Sequence, residues 1–412
     1  MNKRTLILLL ILITLIVGAA IWWWLAPPLA EPTPAPIDPG QAFPVSPPLP
    51  PPAAGTTSLP SLPPPAHGSN PLPRGSSRLI TLSERAVAGA AIISDRVLFL
   101  ERDTGLIVEM DLADRARREL ARLPIRAPIA EAILTLDAQK LSVWFSVITS
   151  GKKNYFSAAL KFTATATPNL TLPEIESEPF GGAVQDIVLD PGRDRLFILE
   201  RVGEETIGKV FDLKTQKSRL VFSSRANQWL AAWPEKNLIA LTSKPAAEAA
   251  GYLYLLNLRN DDWQKILGGV NGLTTLVSPS GQKILYGRSG GRGLELGLYD
   301  RIRNETITLA VSTLPEKCVW SSDASTIYCA APRSLPAAVY PNDWLAGEAV
   351  FDDLLWHINA ATGVSRLIWA DEPGLGDVIN LLVAEGGKKF VFTDRLTNRL
   401  FLIGELTPPL SE

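Results

Sequence analysis

The chain of 412 residues contains little histidine and cysteine, and neither sign of charge is in excess. Of its two histidines, His67 lies in a proline-rich stretch, which leaves His357 as the one histidine expected in a folded body. Imidazole is the usual general base and the commonest metal ligand near neutral pH, so a Ser-His-Asp triad and a zinc site are disfavoured. Forty Lys and Arg against 42 Asp and Glu residues also disfavour a nucleic-acid partner, which needs a clear positive excess. We predict no catalytic residues, metal ligands or cofactor.

A long apolar run lies near the N-terminus. Residues 6–26 contain no charge, and as a helix they would be about 31 Å long, enough to cross a hydrocarbon core of about 30 Å. Lys3 and Arg4 precede the run, so the positive-inside rule places residues 1–5 in the cytoplasm and the rest of the chain outside the cell membrane. We therefore expect a single-pass signal-anchor. The alternative is a signal peptide cleaved near residues 18–20, which would begin the mature chain close to three tryptophans.

Residues 27–77 form a proline-rich linker. Prolines occur there in runs, separated by Ala, Ser, Gly and Thr, a composition that prevents hydrogen-bonded ladders and favours extended polyproline II. At about 3.1 Å per residue the linker would span at most about 150 Å. We expect it to hold a folded body, residues 78–409, away from the membrane. The alternative is that it serves as a PxxP ligand for a partner domain.

The body contains seven copies of one pattern, a tight turn of small or polar residues followed by an apolar strand. The copies lie at residues 92–102, 134–146, 188–201, 231–243, 276–288, 319–331 and 382–395. Most are followed by two more short strands around a polar turn, at residues 106–120, 208–222, 251–267, 296–309 and 354–369. On composition alone, the turn region of residues 106–120 also fits a helix. Repeats of four short strands with regular turn signals are typical of the blades of a β-propeller.

The two ends of the body predict how the ring closes. The last repeat, residues 377–406, supplies three strands, and residues 77–82 form a lone strand before the first full repeat. Pairing the spare strand with the incomplete blade would remove the open seam of the ring. We therefore predict an all-β fold, a seven-bladed β-propeller whose N-terminal strand completes the last blade. One transmembrane helix and the proline-rich linker precede it.

Two copies of the turn motif carry a resemblance to a known family. VLDPGRDRLFIL (188–199) and LVSPSGQKILYG (276–287) resemble the S/D-P-D-G-x-x-I/L-x-Y/F repeats of WD-repeat-like propellers. Such repeats occur in the periplasmic propeller of the Tol system and in the propeller domains of prolyl oligopeptidase-type peptidases. The resemblance extends over residues 78–407, although each motif is short and Trp-Asp and Gly-His dipeptides are absent. It implies the fold and a binding role, and it carries over no catalytic residue.

One loop, residues 331–353 of the sixth repeat, is much longer than its counterparts at 150–154 and 243–250. Loops of this length in compact domains are usually functional or disordered, and its aromatic residues argue against disorder. We predict that it contributes to a recognition surface through Tyr340, Pro341, Asn342, Asp343 and Trp344. The alternative is a loop that folds over its own blade and buries its aromatic side chains. The adjacent Asp352 and Asp353 have no third partner in the sequence that would indicate acid–base chemistry.

The only two cysteines, Cys318 and Cys329, flank the turn of the sixth repeat. A two-residue turn at Asp323 and Ala324 would place them directly opposite each other, in a hydrogen-bonded pair with Cα atoms about 5.5 Å apart. That spacing suits a disulfide, and the expected compartment is oxidising. We predict a structural disulfide. Two buried free thiols are the alternative, and the spacing fits neither a C-x-x-C redox motif nor a zinc site.

Together these features indicate a membrane-tethered extracytoplasmic propeller that acts as a binding or scaffold module for a protein, a peptide or another envelope component. The first alternative is a propeller-type hydrolase or lyase that acts on cell-envelope material, against which the shortage of histidine counts. A purely architectural subunit of an envelope assembly is the second. The sequence leaves the choice open.

Overall fold

The computed structural model describes residues 79–404 except positions 126, 138–139, 162–171, 291–292 and 371–373. The predicted cytoplasmic residues 1–5, the span 6–26 and the linker 27–77 lie outside this part of the chain. Among the described residues, no helix combines the length and the hydropathy needed to cross a membrane. The strands form seven antiparallel four-stranded sheets, which confirms the prediction of an all-β, seven-bladed propeller.

We call the strands of each blade A to D in chain order, and one strand, β1 (Leu79–Ser83), precedes the first blade. Blades 1 to 3 consist of β2 (Val87–Ile93), β3 (Arg96–Glu101), β4 (Leu106–Asp111), β5 (Arg117–Arg122), β6 (Ile129–Leu136), β7 (Lys140–Thr149), β8 (Lys152–Lys161), β9 (Ser177–Pro179), β10 (Ala183–Leu189), β11 (Arg195–Val202), β12 (Glu205–Asp212) and β13 (Ser218–Ser224).

Blades 4 and 5 consist of β14 (Trp229–Glu235), β15 (Leu238–Ser243), β16 (Ala250–Asn257), β17 (Asp262–Asn271), β18 (Thr274–Val277), β19 (Lys283–Gly290), β20 (Gly293–Asp300) and β21 (Glu305–Thr308). Blades 6 and 7 contain β22 (Cys318–Trp320), β23 (Thr326–Pro332), β24 (Asp353–Asn359), β25 (Ser365–Trp369), β26 (Val378–Ala384), β27 (Lys389–Asp394) and β28 (Leu400–Ile403). Three short helices complete the described part: α1 (Asn342–Ala346) and the 3-10 helices Pro315–Lys317 and Glu385–Gly387.

The ring closes as the sequence predicts. β1 pairs with β28 as strand D of blade 7, with Leu79 opposite Ile403 and Ile80 opposite Leu402. Leu82 is buried in the apolar cluster shared by blades 7 and 1. The N-terminal strand therefore supplies both the missing hydrogen-bonding edge and part of the packing that joins the first and last blades.

The A–B turns owe their shape to the Asp or Ser that opens the repeated motif. In blade 3 the Oδ1 atom of Asp190 accepts a hydrogen bond from the backbone N–H of Arg195 at 2.9 Å. In blade 5 the Oγ atom of Ser278 accepts one from the N–H of Lys283 at 3.0 Å. The same side-chain position thus closes both turns onto the amide five residues on, which explains why the motif requires a short oxygen-bearing side chain.

The polar C–D turns use Asp or Asn in a similar way. Asp111 accepts a hydrogen bond from the N–H of Ala113 at 2.7 Å, and Asp212 accepts one from the N–H of Lys214 at 3.0 Å. These side-chain bonds stabilise the turn instead of a helix. Residues 106–120 are accordingly two strands and a turn, as the repeat pattern predicts, and the helical alternative does not hold.

The predicted disulfide between Cys318 and Cys329 is present, and the two residues face each other across β22 and β23. Their Cα atoms lie 4.1 Å apart, so the expected hydrogen-bonded type of pair is wrong; the spacing matches the non-hydrogen-bonded type, about 4.5 Å. The reason lies in the turn, which comprises the four residues 322–325 instead of two. The N–H of Ser321 donates to the carbonyl of Thr326, and this shifts the alternation of pair types by one residue.

Neighbouring strands are antiparallel, so the connections alternate between the two sides of the ring. The B–C loops, such as 150–151, 244–249 and 333–352, and the D–A connections between blades lie on one side, which we call the loop face. The A–B and C–D turns lie on the other side, the turn face. Leu79, at the start of a D strand, and Ile403, at the end of a C strand, both lie on the turn face. The preceding chain therefore joins the ring on the side opposite the long loop.

The A strands of blades 1 and 2 pack closely enough to require glycine at position 89. A Cβ atom on Gly89 would lie 2.0 Å from the backbone carbonyl oxygen of Ala132. Since that oxygen belongs to β6, relief of the clash requires one blade to move relative to the next.

We expect Gly89→Ala to lower the free energy of unfolding by about 1–3 kcal/mol, because the added methyl group overpacks a backbone contact. Gly181→Ala is the matched control, since a Cβ atom there has no neighbour within 4 Å and should leave stability nearly unchanged. Chemical denaturation of both variants measures the difference. Equal stability of the two would contradict the inferred close contact between the blades.

Candidate functional site on the loop face

The long B–C loop of blade 6 folds onto the loop face. Its aromatic side chains Tyr340, Trp344 and Phe351 are buried and pack with Leu294 and Leu314 in one apolar cluster. The loop thus buries its aromatic side chains, as in the alternative considered from the sequence. Burial also raises the pKa of the Tyr340 hydroxyl to about 12.

The five residues predicted to form a recognition surface are separated by this packing. Tyr340, Pro341 and Trp344 are buried, Asp343 is half-buried and Asn342 is exposed. Apolar residues of the propeller cover the aromatic rings of Tyr340 and Trp344. That the loop contributes to recognition stays a prediction, and it now concerns the outer side of the loop.

The loop extends beyond its own blade. Ser289 of blade 5 donates a hydrogen bond from its hydroxyl to the carbonyl of Tyr340. Asn342 accepts one from the backbone N–H of Ala247, which lies in the B–C loop of blade 4, at 2.9 Å. The loop consequently crosses blade 5 and joins blades 4 and 6 on the loop face.

A buried lysine anchors the base of the loop. The Nζ atom of Lys317 lies 2.7 Å from Oδ2 of Asp353, forms an ion pair with Asp377 and donates to the carbonyl of Val378 at 2.8 Å. The side chains of Lys317, Asp353 and Asp377 are all fully buried. The Nζ atom of Lys317 also lies 4.9 Å from the ring centroid of Phe351, so Lys317 holds the loop against blades 6 and 7.

The helix α1 is held by the same charged cluster. The indole N–H of Trp344 donates to the carboxylate of Asp377, with both oxygens at 3.2 Å. The Arg395 guanidinium lies 4.6 Å from the Trp344 ring centroid, donates to the Trp344 carbonyl and approaches Asp377 to 3.6 Å. The two cations, Lys317 and Arg395, therefore balance the two carboxylates, Asp353 and Asp377, around the buried indole of Trp344.

No local sequence pattern indicates this cluster, because Lys317, Asp353, Asp377 and Arg395 lie in or next to four different connections. Asp353 was singled out only as the neighbour of Asp352, and the structure separates the two. Asp352 is exposed and pairs with Arg333 at 3.4 Å, whereas Asp353 is buried against Lys317. Lys317 and Asp377 are 60 positions apart, and no local pattern relates them.

We expect Lys317→Met to lower the free energy of unfolding by about 3–5 kcal/mol, because it leaves two buried carboxylates without their cation. Lys209→Met is the matched control: Lys209 pairs with Glu200 but remains a third exposed, so its loss should cost no more than about 1 kcal/mol. Denaturant titration of both variants measures the effect. A similar small loss in both would show that the cluster does not anchor the loop.

Exposed apolar side chains are concentrated on the loop face. Ten large apolar side chains are exposed within the described residues, and only Ile302 and Val364 lie on the turn face. The other eight lie at loop-face ends of strands or in loop-face connections: Ile148, Val202, Leu230, Tyr252, Val339, Leu345, Val350 and Leu396. Three of these, Val339, Leu345 and Val350, form the outer side of the long loop. Exposed apolar groups gathered on one face are typical of interaction surfaces.

A narrow cleft opens between blades 2 and 3 in their loop-face half. The strand register places Glu131, Ser146 and Tyr155 side by side across β6, β7 and β8, and Asp186 of β10 faces them from blade 3. The Tyr155 hydroxyl donates to the carbonyl of Gln185 at 2.9 Å, which links the two blades. The cavity volume is about 30 Å³, far below the roughly 300–1,000 Å³ of small-molecule sites, so the cleft suits the tip of a single side chain or a small ion.

The carboxyl group of Asp186, on strand A of blade 3, is removed from solvent. It accepts hydrogen bonds from the N–H of Ile187 at 2.9 Å and of Ala231 at 3.1 Å. Burial nevertheless raises the pKa of Asp186 to about 6, because desolvation of the charged form outweighs these bonds. Between pH 4 and 6 the folded chain therefore keeps a proton that the unfolded chain has already lost.

We expect the contribution of Asp186 to the free energy of unfolding to fall as the pH rises from about 4 to about 6, because the folded state binds more protons than the unfolded state in that window. Relative to the wild type, Asp186→Asn should gain on the order of 2 kcal/mol between pH 4.5 and pH 7, since it removes the cost of ionising the buried group. Denaturant titration at the two pH values measures this gain.

Asp323→Asn is the control for this experiment. Hydrogen bonds from Ser321 and Ser325 lower the pKa of Asp323 to about 2, so its contribution is lost only below pH 4. The stability of Asp323→Asn relative to the wild type should therefore not change between pH 4.5 and pH 7. The same result for Asp186→Asn would contradict the raised pKa.

His357, the histidine within the described residues, lies on β24 with its ring edge-on to Tyr328, 5.7 Å between centroids. Burial lowers the pKa of His357, which favours its neutral form. In the part of the chain that the structure describes, no three His, Cys, Asp or Glu side chains are grouped closely enough to hold a metal ion.

Comparison with solved structures finds the same fold in proteins of different activities. An oligogalacturonate lyase from Vibrio parahaemolyticus aligns with a TM-score of 0.56 and 10% identity over 82% of this chain and 96% of its own. The β-propeller domain of the Trilobed protease from Pyrococcus furiosus aligns with a TM-score of 0.50 and 14% identity over 79% and 99%. TolB from Acinetobacter baumannii aligns with a TM-score of 0.42 and 8% identity over 76% and 78%.

No protein-family model and no curated protein sequence matches the chain. The structural similarities are at such low identity that they show the fold alone. The propellers that align with TM-scores of 0.50 and 0.56 confirm the likeness of architecture that the turn motifs indicate. It leaves activity and partner to be inferred from the surface of the propeller.

Proposed function

We propose that this chain is a membrane-tethered extracytoplasmic β-propeller that binds a protein partner through its loop face. The observation that carries the proposal is the concentration of exposed apolar side chains on that face. The anchor, residues 6–26, and the linker, residues 27–77, are inferred from the sequence. The disulfide between Cys318 and Cys329 supports an oxidising compartment, because such bonds are rare in the cytosol.

The position of the first strand supports this orientation. Leu79 lies on the turn face, so a linker ahead of it would direct the loop face away from the membrane. The apolar side chains would then be presented to molecules in the surrounding compartment. A partner anchored elsewhere in the envelope would meet this face first.

The packing of the long loop supports a preformed contact surface. Its outer residues Val339, Leu345 and Val350 are exposed, while Lys317 and Arg395 hold the inner side through buried bonds. A surface that is ordered before binding loses less conformational freedom when the partner arrives. This combination favours recognition of a protein over a purely architectural role.

The alternative function is a hydrolase or lyase that acts on envelope material; one fold neighbour, the oligogalacturonate lyase, is a lyase. Such an activity requires groups that donate and accept protons at one site. His357 has its ring against Tyr328 on the third strand of its blade and does not line the cleft between blades 2 and 3. The apolar loop face therefore favours binding as the first function to test.

The proposal predicts that a charge placed on the loop face disrupts partner capture. We expect Val339→Glu and Leu345→Glu, introduced into the full-length chain, to remove the crosslinked species formed in intact cells. Apolar contact is lost and a carboxylate would be buried without a partner. Crosslinking followed by immunoprecipitation and mass spectrometry measures the captured protein.

Ile302→Glu and Val364→Glu are the matched controls, since these side chains are even more exposed but lie on the turn face. All four variants should melt at the wild-type temperature, because none of the original side chains is buried. If the turn-face variants lose the same crosslinks, or the loop-face variants keep them, the loop face is not the binding surface. A reporter enzyme fused to the C-terminus and active only outside the cytoplasm tests the proposed location.

A further inference from the structure

The cleft between blades 2 and 3 contains a buried hydroxyl without a partner. Ser146 is fully buried, its Oγ atom has no hydrogen-bond partner among the described residues, and it lines the cleft. Buried polar side chains in folded proteins are nearly always satisfied by protein, water or a ligand. An unsatisfied hydroxyl at the wall of an opening therefore indicates that something else completes the site.

The groups around Ser146 are hydrogen-bond acceptors. Glu131 is its direct neighbour across the sheet, and Asp186 faces it from blade 3. Each carboxylate oxygen of Asp186 accepts one backbone N–H, which leaves lone pairs free for further donors. The Tyr155 hydroxyl donates its proton to the carbonyl of Gln185 and does not compete for them. A cationic donor is the chemical class that complements such a set.

The chain itself shows that an ammonium group fits at the mouth of the cleft. The Nζ atom of Lys153 is bonded to Glu131 and lies 5.2 Å from the ring centroid of Tyr155. Both side chains remain partly exposed, so this pair occupies the rim and leaves Ser146 and Asp186 further in. A carboxylate beside an aromatic face is a favourable environment for an ammonium ion.

We propose that the cleft between blades 2 and 3 binds the ammonium group of a lysine side chain that the protein partner presents to the loop face. The lysine would donate to Ser146, Asp186 and Glu131. Ile133 and Trp144, two residues further from the loop face on β6 and β7, would form the apolar floor beyond its ammonium group. Ile148, exposed on β7 two residues beyond Ser146, supplies an apolar rim next to the opening. This assignment rests on the proposed function for the source of the lysine.

Lysine fits the site better than arginine because of the shape of the cleft. The acceptors come from two different blades, and a compact ammonium with three donors can bond acceptors that do not share a plane. A planar guanidinium would require acceptors in one plane. Among the described residues no three His, Cys, Asp or Glu side chains are grouped, so the cleft lacks the usual ligand set of a metal site.

Binding of single amino-acid derivatives to the purified full-length chain tests the assignment. Nα-acetyl-lysine methylamide is the probe, and Nα-acetyl-norleucine methylamide, which keeps the four side-chain carbons but lacks the ammonium group, is the control. Saturation-transfer NMR is the measurement. We expect saturable binding of the lysine probe, about tenfold tighter than that of the norleucine derivative, because only the former carries the charge. Equal binding of the two probes, or no binding of the lysine probe, would overturn the assignment.

Variants locate the bound probe. Glu131→Gln, Asp186→Asn and Ser146→Ala should each weaken lysine binding, while Glu295→Gln should not, since Glu295 is paired with Arg288 in the B–C hairpin of blade 5. Glu131 is exposed, so its variant keeps the test valid if Asp186→Asn impairs folding. Unchanged binding in Glu131→Gln and Asp186→Asn would place the probe elsewhere. Tighter binding of Nα-acetyl-arginine methylamide than of the lysine probe would also overturn the proposal. So would displacement of the lysine probe by KCl but not by choline chloride at equal ionic strength.

The two proposals fail in different ways. If the lysine probe does not bind but Val339→Glu and Leu345→Glu still abolish capture, the cleft assignment alone is wrong. The opposite case is that the lysine probe binds, Glu131→Gln weakens its binding, and Val339→Glu and Leu345→Glu keep every crosslink. The assignment of the partner surface to the loop face is then wrong, and the cleft binds an amine from another source.

Discussion

The pairing of β1 with β28 is the contact on which the rest of this structure depends. A propeller whose first and last blades do not meet would expose an unpaired strand edge and the apolar faces beside it. Here a strand from the N-terminal side of the body completes blade 7, and Leu82 joins the packing between blades 7 and 1. The same pairing sets the polarity of the ring, because it places Leu79 on the turn face. Closure and orientation thus follow from one antiparallel contact.

The long loop of blade 6 illustrates how a buried polar cluster can shape a surface. Desolvating charges is unfavourable unless they are paired and hydrogen-bonded, and Lys317 meets both conditions through Asp353, Asp377 and the carbonyl of Val378. Such a cluster adds little net stability compared with apolar packing, but loss of one partner leaves a buried charge uncompensated, so other arrangements of the loop are disfavoured. The exposed apolar side chains on the outer side are consequently held in defined positions.

The sequence predicted the architecture but only part of the candidate site. The loop was identified by its length, and its aromatic residues suggested contact with a partner. In the structure the rings of Tyr340 and Trp344 are covered by blades 5 and 7, because the loop crosses to neighbouring blades as well as its own. The cleft beside Ser146 combines groups from blades 2 and 3, and no spacing in the chain signals that they meet.

By itself the sequence determined the number of blades, the closing strand and the pairing of Cys318 with Cys329. The number of blades and the cysteine pairing depend on turn residues and on strand alternation, which relate positions close together in the chain. The closing strand follows from a simple count of strands. Only the tertiary structure decided which side chains of the long loop face outward and which groups line the cleft. Those depend on contacts between blades, where the packing of the whole ring sets the direction of each side chain and local preference does not.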